Sequence, residues 1–460
     1  MAGAFPGRPR VFRDPIHGDI CFAKGPFQEL IERLLDTPMF QRLRRIRQNG
    51  VMNLVFHGAE HSRLAHSLGA AHVAGLMFDT IVRNTPDAVE QDRGRLQRDR
   101  EDTILATLLH DVGHGPFSHT LEDIAEANSI EFKHEKMTVR ILEEEGSDIY
   151  AILSEHDTSL PGRLVAFIDK RRRDQENPLW YHSIVSSQLD ADRLDYLMRD
   201  AYLAGIRTHS FDLTRLIGAL GVRKREVVVD SRARDIVDSY LLALDHMYAS
   251  AYYHHTNRTA SFLLTAIIRR AVDLARASDN ARPALFPPIF GDAINPLWSL
   301  FEQGAQIPLR TYQDLDEALI WTHIMVWSYS PDPILSGLVA DLNHRRLPKS
   351  LIVPVHSVNK IRLNAIEKQA KIEFSKSHPT SDPSYFIGID CPVRKTYTKD
   401  AWDDESIAPI KLCRLDDDAT ALESDPLSLV HVLDARKLYP SIIVPPDMRD
   451  SVISMMKGQP

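Results

Sequence analysis

The sequence predicts a mainly α-helical protein with a smaller α+β lobe at its C-terminal end, on three observations. Apolar residues recur at helical spacing through most of the first 275 residues. Short β-like runs gather only after about residue 350. The 460 residues exceed what one compact core usually holds, so two or three packed units are expected. We divide the chain into a helical core (1–275), a helical extension (276–349) and the lobe (350–460).

Phe27 to Leu35 reads as a short amphipathic helix closed by Asp36-Thr37-Pro38, with Asp36 a fair N-cap for a second helix. Pro38 suits the first turn of that second helix, which runs through Phe40, Leu43 and Ile46. A loop spans Gly50 to Gly58, and a longer helix carries Leu64, Leu68, Ala71 and Val73. The charge-rich stretch Asp87 to Asp102 reads as a solvated loop, and Thr103 to Leu109 as an apolar helix. Further helices are predicted over Met137–Glu145 and Leu189–Leu203, a strand over Glu226–Asp230, and one long helix from about Asp235 to about Leu274. Pro283 to Pro296 marks a boundary. In the lobe, Leu351-Ile352-Val353, Tyr385-Phe386-Ile387 and Ser441 to Val444 are the β-like runs.

A net charge of −8 argues against a DNA-coating protein, since phosphate neutralisation needs a basic face. Lys170-Arg171-Arg172-Arg173 reads as a solvated face, and nucleic acid is not an expected partner. Cys21, Cys391 and Cys413 are far apart and in no metal-binding spacing, as suits a reducing compartment. The first residues lack the apolar stretch of a signal peptide, and no run reaches the ~20 apolar residues of a membrane helix. A cytoplasmic protein is expected.

The strongest local signal is Leu109-His110-Asp111-Val112-Gly113-His114-Gly115-Pro116-Phe117-Ser118-His119. On a continuing helix His110 and Asp111 would diverge by ~100°. The glycines and Pro116 let the chain bend, so both side chains can turn to one cation. His66, in Ser62 to Ser67, and Asp192, in Gln188 to Tyr196, complete a shell of two imidazoles and two carboxylates. That set suits one divalent transition metal such as Mn, Fe, Ni or Zn, with Mg joining on the substrate phosphates. His17, His57 and His61 read as structural, and Asp190 and Asp195 as rivals of Asp192.

Asp14-Pro15-Ile16-His17-Gly18, Phe40 to Arg44, the His66 segment, the His110 segment and the Asp192 segment together resemble the SAM-and-HD-domain deoxynucleoside triphosphate triphosphohydrolases. The bacterial branch without a SAM domain is the nearer likeness, over about residues 11 to 260, and no room is seen before Val11 for such a domain. The resemblance implies a helical HD-domain core with His66, His110, Asp111 and Asp192 on the metal. His114, His119 and His134 would sit over the triphosphate, with His114 and His134 in acid–base work and Glu122 in place of an orienting aspartate. Arg63, Arg193 and Tyr196 match phosphate contacts, Gln48 and Asp200 match residues that hold the sugar 3′-hydroxyl, and Tyr252 matches an aromatic that packs against C2′. Leu244 and His255 replace two basic contacts of the animal enzymes, for which Arg258 could compensate. Asp36, Gln41 and Arg44 match a guanine-reading activator site, where a neighbouring asparagine is Arg13.

The expected reaction is hydrolysis of a deoxynucleoside triphosphate at Pα to the deoxynucleoside and inorganic triphosphate. His114, supported by Glu122, or His134 would protonate the departing 5′-oxygen. Expected partners are the nucleotide substrate, an activator nucleotide at a subunit contact, and other copies of the chain in a dimer or tetramer. Two other readings stay open: an HD phosphohydrolase for another nucleotide class, and a non-catalytic nucleotide sensor. Nucleotide-pool control and antiviral nucleotide depletion both fit the chemistry.

Overall fold

A computed structural model describes residues 10–22, 25–174, 179–207, 211–289, 294–353, 360–394, 396–397, 409–414, 418–433, 437–438 and 440–458. The first nine residues, read as lacking a leader, and 290–293 of the Pro-rich stretch lie outside these. A hairpin opens the described chain, β1 (Val11–Asp14) antiparallel to β2 (Gly18–Cys21). Asp14 Oδ1 accepts the Ile16 and His17 amides and shapes its turn. Helix α1 (Pro26–Leu35) buries Phe27, Leu30, Ile31, Leu34 and Leu35, the stripe that an amphipathic helix turns to a core. The cap of the following turn is Thr37, whose Oγ1 accepts from the Phe40 amide at 3.3 Å. Asp36 is therefore not that N-cap; it ends α1 and points outward beside Arg10.

The centre of the molecule is α2 (Arg63–Asn84), buried on nearly every side and packed against α3 (Leu96–Leu109) and α6 (Ala191–Leu203). Two shorter helices, α4 (His119–Ala127) and α5 (His134–Glu143), come after the His110 segment and close one end. The stretch 87–102 is not the solvated loop that its charges suggested. It forms a 3-10 turn over Asp87–Asp92 and the first half of α3. Asp92, Asp99 and Asp102 are buried because arginines neutralise them: Arg95 pairs with Asp92 and Asp99, and Arg163 grips Asp102 with two bonds.

The long helix expected over 235–274 is broken. Helix α7 (Arg234–Met247) runs into a π-turn at Tyr248–Tyr252, and α8 (His255–Ala277) restarts with His254 accepting from the Thr256 amide. This break turns Tyr252 inward, a local irregularity of the kind found at functional sites. In the extension, α9 (Glu317–Trp327) begins behind Asp316, whose carboxylate caps it through the Leu319 amide.

β3 (Leu220–Arg223) and β4 (Glu226–Asp230) form a hairpin, and β7 (Lys411–Cys413) joins β4 in parallel with β8 (Thr420–Ala421) outside it. A second sheet has the order β5 (Lys349–Ile352), β9 (Ser441–Val444), β6 (Gly388–Asp390), antiparallel throughout. Helices α10 (Lys360–Ser377) and α11 (Arg449–Gly458) pack with it around Leu351, Ile366, Phe374, Ile442 and Val452. Leu412, Leu422, Val430 and Leu433 belong instead to the main core. Tyr385-Phe386-Ile387 is not a strand: Asp382 and Pro383 fold Pro383–Tyr385 into a 3-10 turn, and pairing starts only at Gly388.

Candidate metal-dependent active site

Helix α3 ends at Leu109, and His110 is its C-cap. The chain then turns through Gly113, where a Cβ would lie 2.3 Å from both His134 O and the Thr138 amide nitrogen. Only glycine lets α5 come that close. Phe117 and Ser118 take left-handed φ values of 60° and 55°, costing roughly 1–2 kcal/mol per L-residue. Distant residues hold this strained turn. Arg42 donates to Val112 O, His114 O and Leu315 O, Tyr312 to Gly113 O, and Glu317 accepts from the Arg47 and Phe117 amides.

Four side chains converge beside the turn. His66 Nε2 lies 3.0 Å from Asp192 Oδ1 and 3.7 Å from Asp111 Oδ2. His110 Nε2 lies 3.2 Å from Asp111 Oδ1 and 3.6 Å from Asp192 Oδ1. Neither Nε2 has a hydrogen-bond partner aligned with it, although both are buried. Orphaned nitrogens among carboxylates fit a cation that takes their lone pairs. His110 is oriented by its Nδ1–H on Thr107 O at 2.6 Å. Burial works against protonating His66, but Asp192 and Asp195 outweigh it and raise its pKa to about 10. His110 is raised likewise, against burial, by Asp111 and Asp192. Burial resists the Asp111 charge, yet Arg63 and His110 bring its pKa down to about 2. This place attracts positive charge.

Next to it stand His114, His119 and His134. The His114 and His134 rings stack with centroids 3.6 Å apart, and His119 sits edge-on to both. His114 is held well below the ordinary histidine value, by burial first and then by Arg63, His134 and His119. The expected support of His114 by Glu122 is not seen. Glu122 Oε1, in the first turn of α4, lies 2.5 Å from His134 Nδ1 and also accepts the amide of His134, the first residue of α5. Burial opposes ionisation of Glu122, but bonds from His134 and Lys133 lower its pKa to about 2. A carboxylate can only accept, so Nδ1 carries the hydrogen and His134 Nε2 is left for proton exchange.

Arg63 joins the two groups: it pairs with Asp111, donates to Ser118 Oγ at 2.8 Å and reaches Gln48 O at 3.3 Å. Gln48 Oε1 is buried without a partner. Tyr252 OH donates to Asp200 Oδ2 at 2.7 Å, and Asp200 Oδ1 takes His61 Nε2 at 2.6 Å. Tyr196 lies edge-on to Tyr252 at 6.2 Å. Arg193 donates to Ser187 O, and Asp190 caps α6 through the Arg193 amide. The site opens at Asp192, one-third exposed, while His66 is sealed. Arg258 does not point freely at this opening: its Nε and one arm of its guanidinium are held by Asp390 of β6, at 3.0 and 2.6 Å. Asp36, Gln41 and Arg44 stand elsewhere. Gln41 donates to Leu35 O and accepts from Arg44, beside a groove of about 730 Å³ lined by Glu29, Glu32, Arg33 and Asp148.

His17 and His61, read from the sequence as structural, and Asp195, read as a rival of Asp192, bond instead to groups of this site: His17 to Asp195, Asp195 to His66, and His61 to Asp200. Asp195 stands three residues after Asp192, on the same helix face, and that spacing was the available signal. Arg42 lay in the Phe40 to Arg44 motif without a role assigned to it, and nothing local marked Tyr312 or Glu317.

Comparison with known proteins agrees with the geometry. A family model described as the HD domain matches residues 63–200, and one described as an HD-associated region matches 211–283. The uncharacterized protein YwfO of Bacillus subtilis is 32% identical over 383 residues, 83% of this chain and 79% of that protein. The deoxynucleoside triphosphate triphosphohydrolase SAMHD1 of Gallus gallus is 30% identical over 289 residues; the match spans 57% of this chain and 45% of that protein. The chain thus spans less than half the length of that relative. A phosphohydrolase crystal structure from Bacteroides thetaiotaomicron superposes with a TM-score of 0.73 at 24% identity, covering 95% of this chain and 100% of that one, a likeness of fold. No helix among the described residues is long and apolar enough to cross a membrane.

Proposed function

From a chain that belongs to the HD-domain family of phosphohydrolases, we propose an enzyme that cleaves deoxynucleoside triphosphates to the deoxynucleoside and inorganic triphosphate. The observation that carries this is the junction at Asp111. One of its oxygens faces the His66 and Arg63 side and the other faces His110 and His114, so cation cradle and imidazole trio share one carboxylate.

His66, His110 and Asp192, with Asp111 beside them, would hold one divalent transition metal, Mn, Fe, Ni or Zn by ligand type. When bound, it supplies charge to polarise a phosphoryl oxygen and activates water near neutral pH. The chain's own residues do the rest. Arg63, buried and paired with Asp111, offers charge to the phosphates. Neutral His114 and His119 can donate single N–H bonds to phosphate oxygens, and the anionic substrate raises their proton affinity once bound. His134, its Nδ1–H held by ionised Glu122, would carry a second proton on Nε2 and give that one to the departing 5′-oxygen. Asp200 accepts the one proton of the 3′-hydroxyl, whose oxygen accepts from the Gln48 amide, and Tyr252, pinned by Asp200, fills the space that a 2′-hydroxyl needs.

The test is incubation with the four deoxynucleotides and four ribonucleotides, singly and mixed, with Mn2+ or Mg2+, and chromatography of the products. Tripolyphosphate with the deoxynucleoside is the expected result. Orthophosphate, or equal turnover of ribonucleotides, overturns it. Activation of one nucleotide's hydrolysis by another, with a rise in mass by light scattering, would extend the reading to Asp36, Gln41 and Arg44.

A further inference from the structure

Behind the cradle lies a buried chain of polar groups that the reaction does not use. Asp195 is fully buried on α6, and its Oδ2 lies 2.8 Å from His66 Nδ1. Its Oδ1 lies 2.7 Å from His17 Nε2 and 2.8 Å from an arm of Arg199, whose Nε also reaches Oδ2 at 2.9 Å. Arg199 continues to Asp14 Oδ2 at 2.7 Å. Asp14 Oδ1 in turn accepts the His17 amide, so the β1–β2 turn that carries His17 is tied to the same arginine. The His72 ring lies tilted beside the His17 ring, centroids 5.6 Å apart.

Chemistry alone sets the donor roles. A carboxylate only accepts, so His66 must carry its hydrogen on Nδ1 and His17 on Nε2. His66 Nε2, aimed between Asp111 and Asp192, is thereby the nitrogen left for a metal, or for a proton in its place. Oδ1 takes His17 and one arm of Arg199, and Oδ2 takes Arg199 Nε and His66 Nδ1. The backbone is shaped for this contact: a Cβ on Gly69 of α2 would lie 2.0 Å from Asp195 Oδ1 and 2.3 Å from the Arg199 guanidinium. Gly69 is three residues after His66, so the glycine lets α2 settle onto α6 where His66 needs its partner.

We propose that His17 and Asp195 form a positioning relay that fixes the tautomer and direction of His66 for the metal. The relay rests on reading the cradle as a metal centre. His17 reaches the metal through two intervening side chains and touches no substrate, so it is a positioning residue and not a catalytic one. Outer groups of this kind raise ligand basicity and set ring orientation.

The experiment is a titration of the full chain, stripped of metal, with Mn2+, following free Mn2+ by electron paramagnetic resonance, alongside melting of the metal-free protein. His17→Ala should weaken Mn2+ binding by about ten- to a hundredfold, the range for lost outer-shell partners. His17→Gln, whose amide can still donate to Asp195, should recover most of that affinity. A purely structural His17 would lower the melting temperature of both variants and leave the affinity of folded protein unchanged. Gly69→Ala attacks the same carboxylate from the other side and should also weaken binding, which serves if His17→Ala does not fold. Wild-type affinity in folded His17→Ala or Gly69→Ala, or no recovery in His17→Gln, overturns the relay. Failure of the wild-type protein to bind Mn2+ would instead overturn the metal centre beneath it.

Discussion

Two groups of histidines share one carboxylate and are held in opposite states. In the cradle, His66 and His110 face Asp111, Asp192 and Asp195, and their affinity for a proton rises despite burial. A few ångströms away, His114 and His119 face Arg63 and each other, and theirs falls. The residue type is the same; the neighbours decide. A cradle that attracts a proton also attracts a metal, which competes for the same lone pairs. Imidazoles kept neutral can lie beside an anion without first discarding a proton.

Removing a cradle ligand should break the contrast most completely. Asp192→Ala is expected to lose bound metal by elemental analysis and to lower hydrolysis by roughly a thousandfold or more, since a single electrostatic contact at a reacting centre is itself worth ~10²–10³. The trio should behave differently. His134→Ala should cut kcat by about 10²–10⁴ with metal content intact, the usual worth of a general acid. Glu122→Gln should do the same to a smaller degree, because the imidazole remains but its orienting charge is gone. Equal metal loss in His134→Ala and Asp192→Ala would dissolve the distinction.

Acid and alkali should separate the two groups in the metal-free protein. His66 is raised to about 10 in the folded chain, against 6.5 for an ordinary histidine, so between those values the folded state binds more protons. Its stabilisation is present below about pH 6.5 and lost as pH rises toward 10. His114 is depressed, so the unfolded state binds more protons; its contribution is present above about pH 6.5 and lost as pH falls. Denaturant melts across pH should therefore show His66→Gln flattening the alkaline limb and His114→Gln the acid limb. The reverse assignment would refute the electrostatic account.

The smallest effect should come from the brace. Glu317→Gln keeps shape but weakens the bonds on Arg47 and on the strained Phe117 turn, for a loss of about 1–2 kcal/mol and a few-fold drop in kcat at unchanged metal content. No change in either the melting temperature or kcat would mean that the turn holds itself.

The residues alone revealed the chemistry that concentrates locally. The His110-Asp111 pair beside Gly113 declared a bend, and the helical stripes of α1 and α2 declared a core. The burial of Asp92, Asp99 and Asp102 was invisible because their arginine partners come partly from distant helices, Arg163 above all. The break at Tyr248–Tyr252 has no proline or glycine to announce it; a tertiary bond from Tyr252 to Asp200 accompanies it. Glu122 was assigned to His114 by likeness, and the meeting of α4 with α5 gives it to His134. Arg258 was read as a phosphate contact, and a carboxylate from the C-terminal sheet occupies it.

The most direct measurement is anomalous diffraction at the Mn edge from crystals grown with Mn2+ and a non-hydrolysable deoxynucleoside triphosphate. The account requires one peak enclosed by His66, His110, Asp111 and Asp192, with the α-phosphate beside it and His134 Nε2 toward the 5′-oxygen. A peak elsewhere, or a nucleotide bound away from these four residues, would contradict it.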